Sequence, residues 1–361
     1  MFLCKDFFLI ISVILNKPHL NKTINIQNLT VGYRKNKNTQ ILLSELKLDA
    51  VKGETIALVG INGSGKSSLL RCITGIQKPL SGNIFLNSKS IQDYSGKDRA
   101  KTISFVTTTN FNVSYMKVSD IVSFGRFPYL KFAGQTNKND KKIINNSLQL
   151  VGMSAFADKN INEISDGERQ KIMLASALAQ DTEIILLDEP AAFLDTENKY
   201  MIYELLQKLA SENQKTIIFS THDLDIALNL ADKIWLLKNN SIIQAAPEDL
   251  ILNNHISKIF SSEKVYFDKE SFNFKYQKTK QFPVNLTNKT TDNNIYKITE
   301  KALNRKSFYV SEQNEDVKIS IEKTNNIISW EVTTNKNQQK LNTIYDITNY
   351  LTSIYKSEST I

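Results

Sequence analysis

The stretch Gly60-Ile-Asn-Gly-Ser-Gly-Lys-Ser67 decides the fold, because it fits the pattern G-x-x-x-x-G-K-[ST] and lies between a strand-like and a helix-like run. Upstream, Thr55-Ile-Ala-Leu-Val59 is a short continuous apolar run of the kind a strand buried on both faces has. Downstream, Ser68-Leu-Leu-Arg-Cys-Ile73 continues as a helix, so the pattern predicts a loop that opens a helix. Gly60, Gly63 and Gly65 let backbone N–H groups turn inward around a chain of phosphates. Lys66 supplies a point charge to the outer phosphates, and the Ser67 hydroxyl suits Mg2+. Asn62, Ser64 and Ser68 complete the expected phosphate-binding set. An incidental glycine-rich turn is the competing reading, and it leaves the filled pattern and its two flanking elements unexplained.

Many nucleotide hydrolases share such a loop, so residues further along must say which kind this is. Ile184-Ile-Leu-Leu-Asp-Glu-Pro190 is an apolar strand ending in two adjacent carboxylates. That puts Asp188 at the carboxyl edge of a sheet, where it would hold Mg2+ through water, and Glu189 beside the terminal phosphate. Glu189 would orient and polarise the attacking water, since phosphoryl transfer is catalysed mainly by positioning and charge stabilisation. Asp-Glu-Pro turns end many strands; the coexisting phosphate loop is what makes this one informative.

Between the two lies Ile164-Ser-Asp-Gly-Glu-Arg-Gln170, followed by the helix-like run Lys171-Ile-Met-Leu-Ala-Ser-Ala-Leu-Ala179. This resembles the signature motif of the ATP-binding cassette (ABC) ATPases, Leu-Ser-Gly-Gly-Gln, with departures at Ile164, Asp166 and Glu168. The resemblance implies that Ser165, Gly167 and Glu168 serve an ATP held by a second subunit, either another copy of this chain or a paralogous ATPase. Asp166 is then expected to turn away from that phosphate. Phe193-Leu-Asp195 resembles the family's D-loop, which implies Asp195 at the dimer seam. Thr221-His222-Asp223, after the apolar run Thr216-Ile-Ile-Phe-Ser220, resembles the switch histidine. By that resemblance His222 contacts the terminal phosphate and joins Glu189 and Lys66 as the catalytic set, while Tyr33 is placed like the aromatic that stacks on adenine. One position departs from the family. Its usual glutamine follows the strand Ile103-Ser-Phe-Val106, where this chain has Thr107-Thr-Thr109, so Thr108 is the equivalent that would complete a metal set of Ser67, Asp188 and Thr108. ATP and Mg2+ are the implied cofactors.

From residue 24 to about 260, strand-like and helix-like stretches alternate through short turns, which indicates an α/β domain. Thr23-Ile-Asn-Ile-Gln-Asn-Leu-Thr-Val-Gly-Tyr33 and Gly82-Asn-Ile-Phe-Leu-Asn87 read as strands, and residues 141 to 151 as a helix. The resemblance implies a P-loop ABC ATPase domain over 23–260, with a mixed or parallel core sheet and a helical subdomain. Beyond 260, Asn, Lys and Thr dominate and glycine disappears. Strand-like alternation at 272–276, 317–321 and 328–332, with amphipathic stretches near 296–305 and 341–355, predicts a small α+β appendage over 261–361, read as a packing or regulatory unit.

Residues 1–22 are read as a leader outside the core. The apolar run Phe7-Phe-Leu-Ile-Ile-Ser-Val-Ile-Leu15 has nine residues, against about 20 needed to span a bilayer. No small-residue cleavage site follows it; a weak peripheral anchor is the alternative. Of the 361 residues, 41% are hydrophobic and 23% charged, an ordinary globular balance. The formal charge of +8 is spread along the chain without a basic block, which argues for solubility and against a nucleic-acid partner. Cys4 and Cys72 imply no disulfide framework and suit a reducing compartment.

Val118-Ser-Asp-Ile-Val-Ser-Phe-Gly-Arg-Phe-Pro-Tyr129 resembles Val-x-Glu-Leu-Val-x-x-Gly-Arg-x-Pro-Tyr in importers of iron siderophores, haem and cobalamin. The resemblance implies an ATPase on the cytoplasmic face of the inner membrane, peripheral to integral-membrane permease subunits and served indirectly by a substrate-binding protein. The competing class is an ABC-type regulatory ATPase acting on a non-membrane partner. Translation-type members carry two cassettes and DNA-repair members split theirs around a coiled coil, whereas this sequence has one loop and one uninterrupted signature segment.

Overall fold

The computed structural model of the protein describes residues 22–35, 38–107, 115–130, 136–269, 271–276, 281–313, 316–325, 327–335 and 337–358. The leader and Thr108 lie outside these residues. The chain divides into two compact units, with the boundary between Ile259 and Phe260.

The first unit is built on two sheets. Its strands are β1 (Lys22–Lys35), β2 (Asn38–Val51), β3 (Thr55–Val59), β4 (Ser81–Leu86), β5 (Lys89–Ser90), β6 (Ile103–Val106), β7 (Ile184–Asp188), β8 (Thr216–Thr221), β9 (Lys233–Lys238) and β10 (Ser241–Ala245). An antiparallel sheet runs β2-β1-β4-β5, and the core sheet runs β10-β9-β3-β8-β7-β6, parallel except for β10. Strands β3, β7 and β8 are buried at every residue, as the unbroken apolar runs predict for strands covered on both faces. The helix Lys66–Ile73 is part of the packing that joins the sheets: its Leu69, Leu70 and Ile73 share one buried cluster with Ile24 and Leu29 of β1 and with Ile184 and Ile218 of the core sheet. Burial of each such side chain contributes about 1.5–3 kcal/mol, so this helix is held by its tertiary face far more than by its eight residues of helix propensity.

Parallel pairing sets what the core sheet presents at its carboxyl edge. Val59 pairs with Thr221 and Asp188 with Ser220, so the loop at residue 60, the carboxylates at 188 and 189 and the histidine at 222 all follow neighbouring strand ends. Open α/β sheets bind ligands at that edge.

The helical part comprises Val118–Ser123, the 3-10 turn Phe124–Tyr129, Lys138–Leu150 and Asp166–Ala179. The second of these α-helices starts three residues before the expected 141, because Asn137 and Asp140 cap its first turn reciprocally: the Asp140 N–H donates to Asn137 Oδ1 at 2.9 Å and the Asn137 N–H to Asp140 Oδ2 at 3.0 Å. Gly125 lies against the helix Asp166–Ala179 so closely that a Cβ there would come 2.1 Å from the Ser176 carbonyl oxygen.

The second unit carries a five-stranded sheet ordered Phe308–Val310, Phe282–Asn288, Val317–Thr324, Ile327–Thr334, Gln338–Leu341. The first three run parallel and the rest form an antiparallel meander. The helix Asn293–Arg305 makes the crossover between the parallel strands Phe282–Asn288 and Phe308–Val310, and Ile344–Glu358 follows the meander. Val284, Leu286, Leu303, Ile319, Trp330 and Leu351 form its core, with the indole N–H of Trp330 donating to Thr299 Oγ1 at 3.0 Å. A separate hairpin pairs Val265–Asp268 with Asn273–Tyr276. Its second strand begins one residue after the expected 272, since Phe272 takes φ 51° in the turn.

Candidate functional site

Gly65 ends the loop at φ 104°, and the helix Lys66–Ile73 that follows has no side-chain cap. Its first closed turn is the Leu69 N–H to Gly65 carbonyl bond at 2.9 Å, so the N–H groups of Lys66, Ser67 and Ser68 precede the helical ladder. An uncapped helix start with the positive end of its dipole exposed favours an anion. A side chain at Gly65 is disfavoured by its left-handed backbone, and a Cβ there would sit close against Leu42 and Leu43, at 3.3 and 3.4 Å. Lys66 is 7% exposed, and its ammonium donates to the carbonyls of Gly60 at 2.8 Å and Ile61 at 3.2 Å. Burial lowers its pKa, and the charges of Glu189 and Asp188 push it back up. The Ser68 hydroxyl is bonded to Tyr33 Oη at 2.6 Å, which pins the half-exposed Tyr33 ring beside the first turn of the helix.

Asp188 and Glu189 are arranged by a residue that the sequence reading did not single out. Ser220, wholly buried at the end of β8, donates its hydroxyl to Asp188 Oδ1 at 2.6 Å and accepts the Glu189 N–H at 2.9 Å. One hydroxyl thereby fixes the buried carboxylate and the start of the sharp turn in which Glu189 takes φ 50°. The signal was the register: in parallel strands ending together, the residue before Thr221 must face the residue before Glu189. His222 Nδ1 stands 3.3 Å from Glu189 Oε2, with the imidazole largely exposed. Loop, lysine, paired carboxylates and histidine therefore meet at one edge.

The signature residues form a second group. Ser165 caps the helix Asp166–Ala179, accepting the Glu168 N–H at 3.3 Å, while its own N–H and hydroxyl each donate to Glu168 Oε2 at 2.8 Å. The Ser165 N–H, followed by its hydroxyl, holds the Glu168 carboxyl below the usual range. The expectation that the Ser165 hydroxyl is offered to a phosphate thus meets a competing local partner, since Ser and Glu three residues apart at a helix start satisfy each other. Asp166 pairs with Arg169 at 3.3 Å on the surface. Gly167 faces the D-loop: a Cβ there would come 3.2 Å from the Phe193 carbonyl oxygen and Leu194 Cδ2. Asp195 caps its own helix, Thr196–Ser211, by accepting the Asn198 N–H at 2.9 Å, which holds its carboxyl below the ordinary value.

Residues 43–192 match the family model described as ABC transporter, and residues 282–352 match the one described as iron ABC transporter C-terminal domain. An uncharacterised ABC transporter ATP-binding protein of Methanocaldococcus jannaschii is 39% identical over 66% of this chain and 81% of its own length. The petrobactin import ATP-binding protein FpuD of Bacillus anthracis is 33% identical over 68% of this chain and 88% of its own. This chain belongs to the ATP-binding proteins of ABC transporters. A solved chain of an ABC transporter assigned to the metal-chelate type, in an inward-facing conformation, superposes with a TM-score of 0.59 at 27% identity, over 71% of this chain and 97% of that one. A dimeric ATP-binding cassette in a post-hydrolysis state with ADP and Pi superposes with a TM-score of 0.56 at 27% identity, over 62% of this chain and 98% of that one.

The protein is therefore an ABC ATPase, and its loop fits the nucleotide it binds. The Ser64 hydroxyl is buried with no hydrogen-bond partner, and the space around Gly63, at φ 78°, is open. A buried unpaired hydroxyl is costly, so an orphan at the mouth of an uncapped helix marks a place where an acceptor belongs. Among the described residues, no helix is long and apolar enough to cross a membrane.

Proposed function

We propose that this ABC ATPase energises import of an iron-siderophore type of metal chelate, working as a pair of ATPase subunits on the cytoplasmic side of a membrane permease to which a separate binding protein delivers cargo. The observation that carries the cargo class is the match of residues 282–352 to the iron transporter C-terminal model, in a chain whose relatives include import proteins for petrobactin, iron(3+)-hydroxamate and ferric enterobactin. Support for a pair comes from the signature group, whose Gly167 lies beside the D-loop at the start of the helix Asp166–Ala179.

Within one subunit the labour divides by position. Lys66 and the N–H groups at the start of its helix bind and orient the phosphates. Ser67 and Asp188 would hold Mg2+, which supplies charge neutralisation at the phosphate oxygens. Asp188 is preset for this by Ser220, whose proton leaves one carboxylate oxygen engaged and the other available. Glu189 holds the attacking water and accepts its hydrogen bond, and His222, within reach of Glu189, keeps that carboxylate turned toward the phosphate. Replacing His222 with alanine is expected to lower ATP turnover about 10²-fold, the scale of one lost positioning or general acid–base contact, with Mg-ATP affinity changed less than about threefold. Steady-state phosphate release and calorimetric titration read the two quantities separately; equal losses in both would remove His222 from the turnover step.

The test of the import reading is capture of partners. The full chain carrying Glu189→Gln is trapped with Mg-ATP in gently solubilised host membranes and its companions are identified by mass spectrometry. Recovery of a multi-spanning permease supports transport, and recovery of soluble partners alone overturns it.

A further inference from the structure

We infer that Arg126 is a positioning residue for ATP turnover: it rivets the Phe124–Tyr129 turn and the helix Lys138–Leu150 to the carboxyl end of the signature helix, so that Ser165 and Gly167 at its other end move with that turn. The inference rests on the proposal that the signature group serves a partner's ATP.

Arg126 is 5% exposed and Asp140 3% exposed, in a protein whose other charged groups mostly face water. The guanidinium uses two directions at once. Its Nε donates to Asp140 Oδ1 at 2.9 Å, and its Nη1 donates to the Ala179 carbonyl at 2.8 Å, one of the free carbonyls that end the signature helix. Its plane lies 3.9 Å from the Tyr129 ring centroid, and the Tyr129 hydroxyl donates to the next carbonyl, Gln180, at 3.0 Å. Ser176 adds a hydroxyl bond to the Ile121 carbonyl at 3.2 Å, and Gly125 abuts the Ser176 carbonyl. A cation and a phenol thus close the negative end of the helix dipole. A planar fork spans two partners in this way; a lysine ammonium on a flexible stem does not.

The turn that carries Arg126 inward carries aromatic rings outward. Phe124 and Phe127 are 36% and 58% exposed, with ring centroids 5.0 Å apart. Force on these rings therefore reaches the signature helix through buried hydrogen bonds. The helix is a rigid rod of 14 residues, about 21 Å at 1.5 Å per residue. Its amino half is tied in turn to the D-loop helix, since Lys171 Nζ donates to Asn198 Oδ1 at 2.5 Å and the Asn198 N–H to Asp195. A displacement of about 1 Å in catalytic groups can cost about 10²-fold in rate, which is why a rivet distant from any phosphate can govern turnover.

The experiment compares full-length Glu189→Gln protein with and without Arg126→Lys in Mg-ATP. Affinity of the dilute protein for Mg-ATP, read by calorimetry, is expected to stay within about twofold, because well-separated sites act independently. Dimerisation, read by analytical ultracentrifugation, is expected to weaken about 10–10²-fold. Amide hydrogen exchange at Glu168 and Arg169 is expected to speed up, a remote response that a merely local packing defect around residues 124–140 does not produce. Unchanged dimerisation together with unchanged exchange at those two amides overturns the inference. A Glu189→Gln protein that stays monomeric with Arg126 intact overturns the paired-subunit reading instead, and the exchange data still decide the rivet. Should Arg126→Lys fail to fold, Tyr129→Phe removes one hydroxyl bond without stranding a buried charge; faster exchange at Glu168 and Arg169 supports the rivet, and none overturns it.

Discussion

Glu189→Gln is expected to slow ATP hydrolysis about 10²–10⁴-fold, the range for loss of a positioned acid–base group, while Mg-ATP still binds within a few fold of the parent affinity. The amide is nearly isosteric, so the turn at φ 50°, the Ser220 hydroxyl on the Glu189 N–H and the approach of His222 are all retained. What changes is the carboxylate's capacity to accept the water's proton and to place negative charge behind it. Removing one of the two adjacent carboxylates also lessens repulsion of the phosphates, which is why binding is not expected to suffer. In the paired arrangement the protein should then accumulate as a dimer in Mg-ATP. Single-turnover hydrolysis and sedimentation measure the two effects, and a rate within tenfold of the parent would mean that another group handles the water.

Lys66→Ala is expected to act on the other axis and to remove nucleotide binding. The lysine brings the positive charge that answers Asp188 and Glu189, and it lies buried on the carbonyls of Gly60 and Ile61, close to where phosphates would compete for the same protons. Alanine deletes the charge-assisted bonds, worth about 1.5–3 kcal/mol each, and leaves two carboxylates facing an anion. At 1.4 kcal/mol per tenfold, loss of one or two such bonds lowers affinity at least about 10–10²-fold, and the uncompensated carboxylates lower it further. The fold should persist, because the hydrophobic cluster containing Leu69, Leu70 and Ile73 is untouched. Calorimetry with Mg-ATP beside a thermal melt separates these outcomes; binding within threefold of the parent would contradict the role given to Lys66.

Much of this protein was legible before any coordinates. The loop from Gly60 to Ser67 needs residues of fixed type at fixed spacing, because backbone N–H groups, one ammonium and one hydroxyl must converge on a phosphate chain. The buried strands announced themselves in unbroken apolar runs at 55–59, 184–188 and 216–221, since a parallel strand covered on both faces has no polar side to show. In the second unit the strands Asn273–Tyr276, Val317–Thr324 and Ile327–Thr334 and the two long helices were readable within a few residues from the local periods of 2 and 3.6, whereas the strands Val265–Asp268, Phe282–Asn288, Phe308–Val310 and Gln338–Leu341 were not singled out. Other features depend on partners far apart in sequence. Ser220 looks like any strand-end serine until pairing brings it to Asp188, 32 positions earlier. Arg126 stands in a recognisable motif, but its partners, Asp140 and the Ala179 carbonyl 53 positions away, come to it only when the turn between two helices is buried. Residue type and local spacing determined which chemistry this chain performs and on which elements it sits. Tertiary structure alone decided which side chains orient it, because a hydrogen bond across a sheet or between helices is set by register and packing, and neither is encoded in any local window.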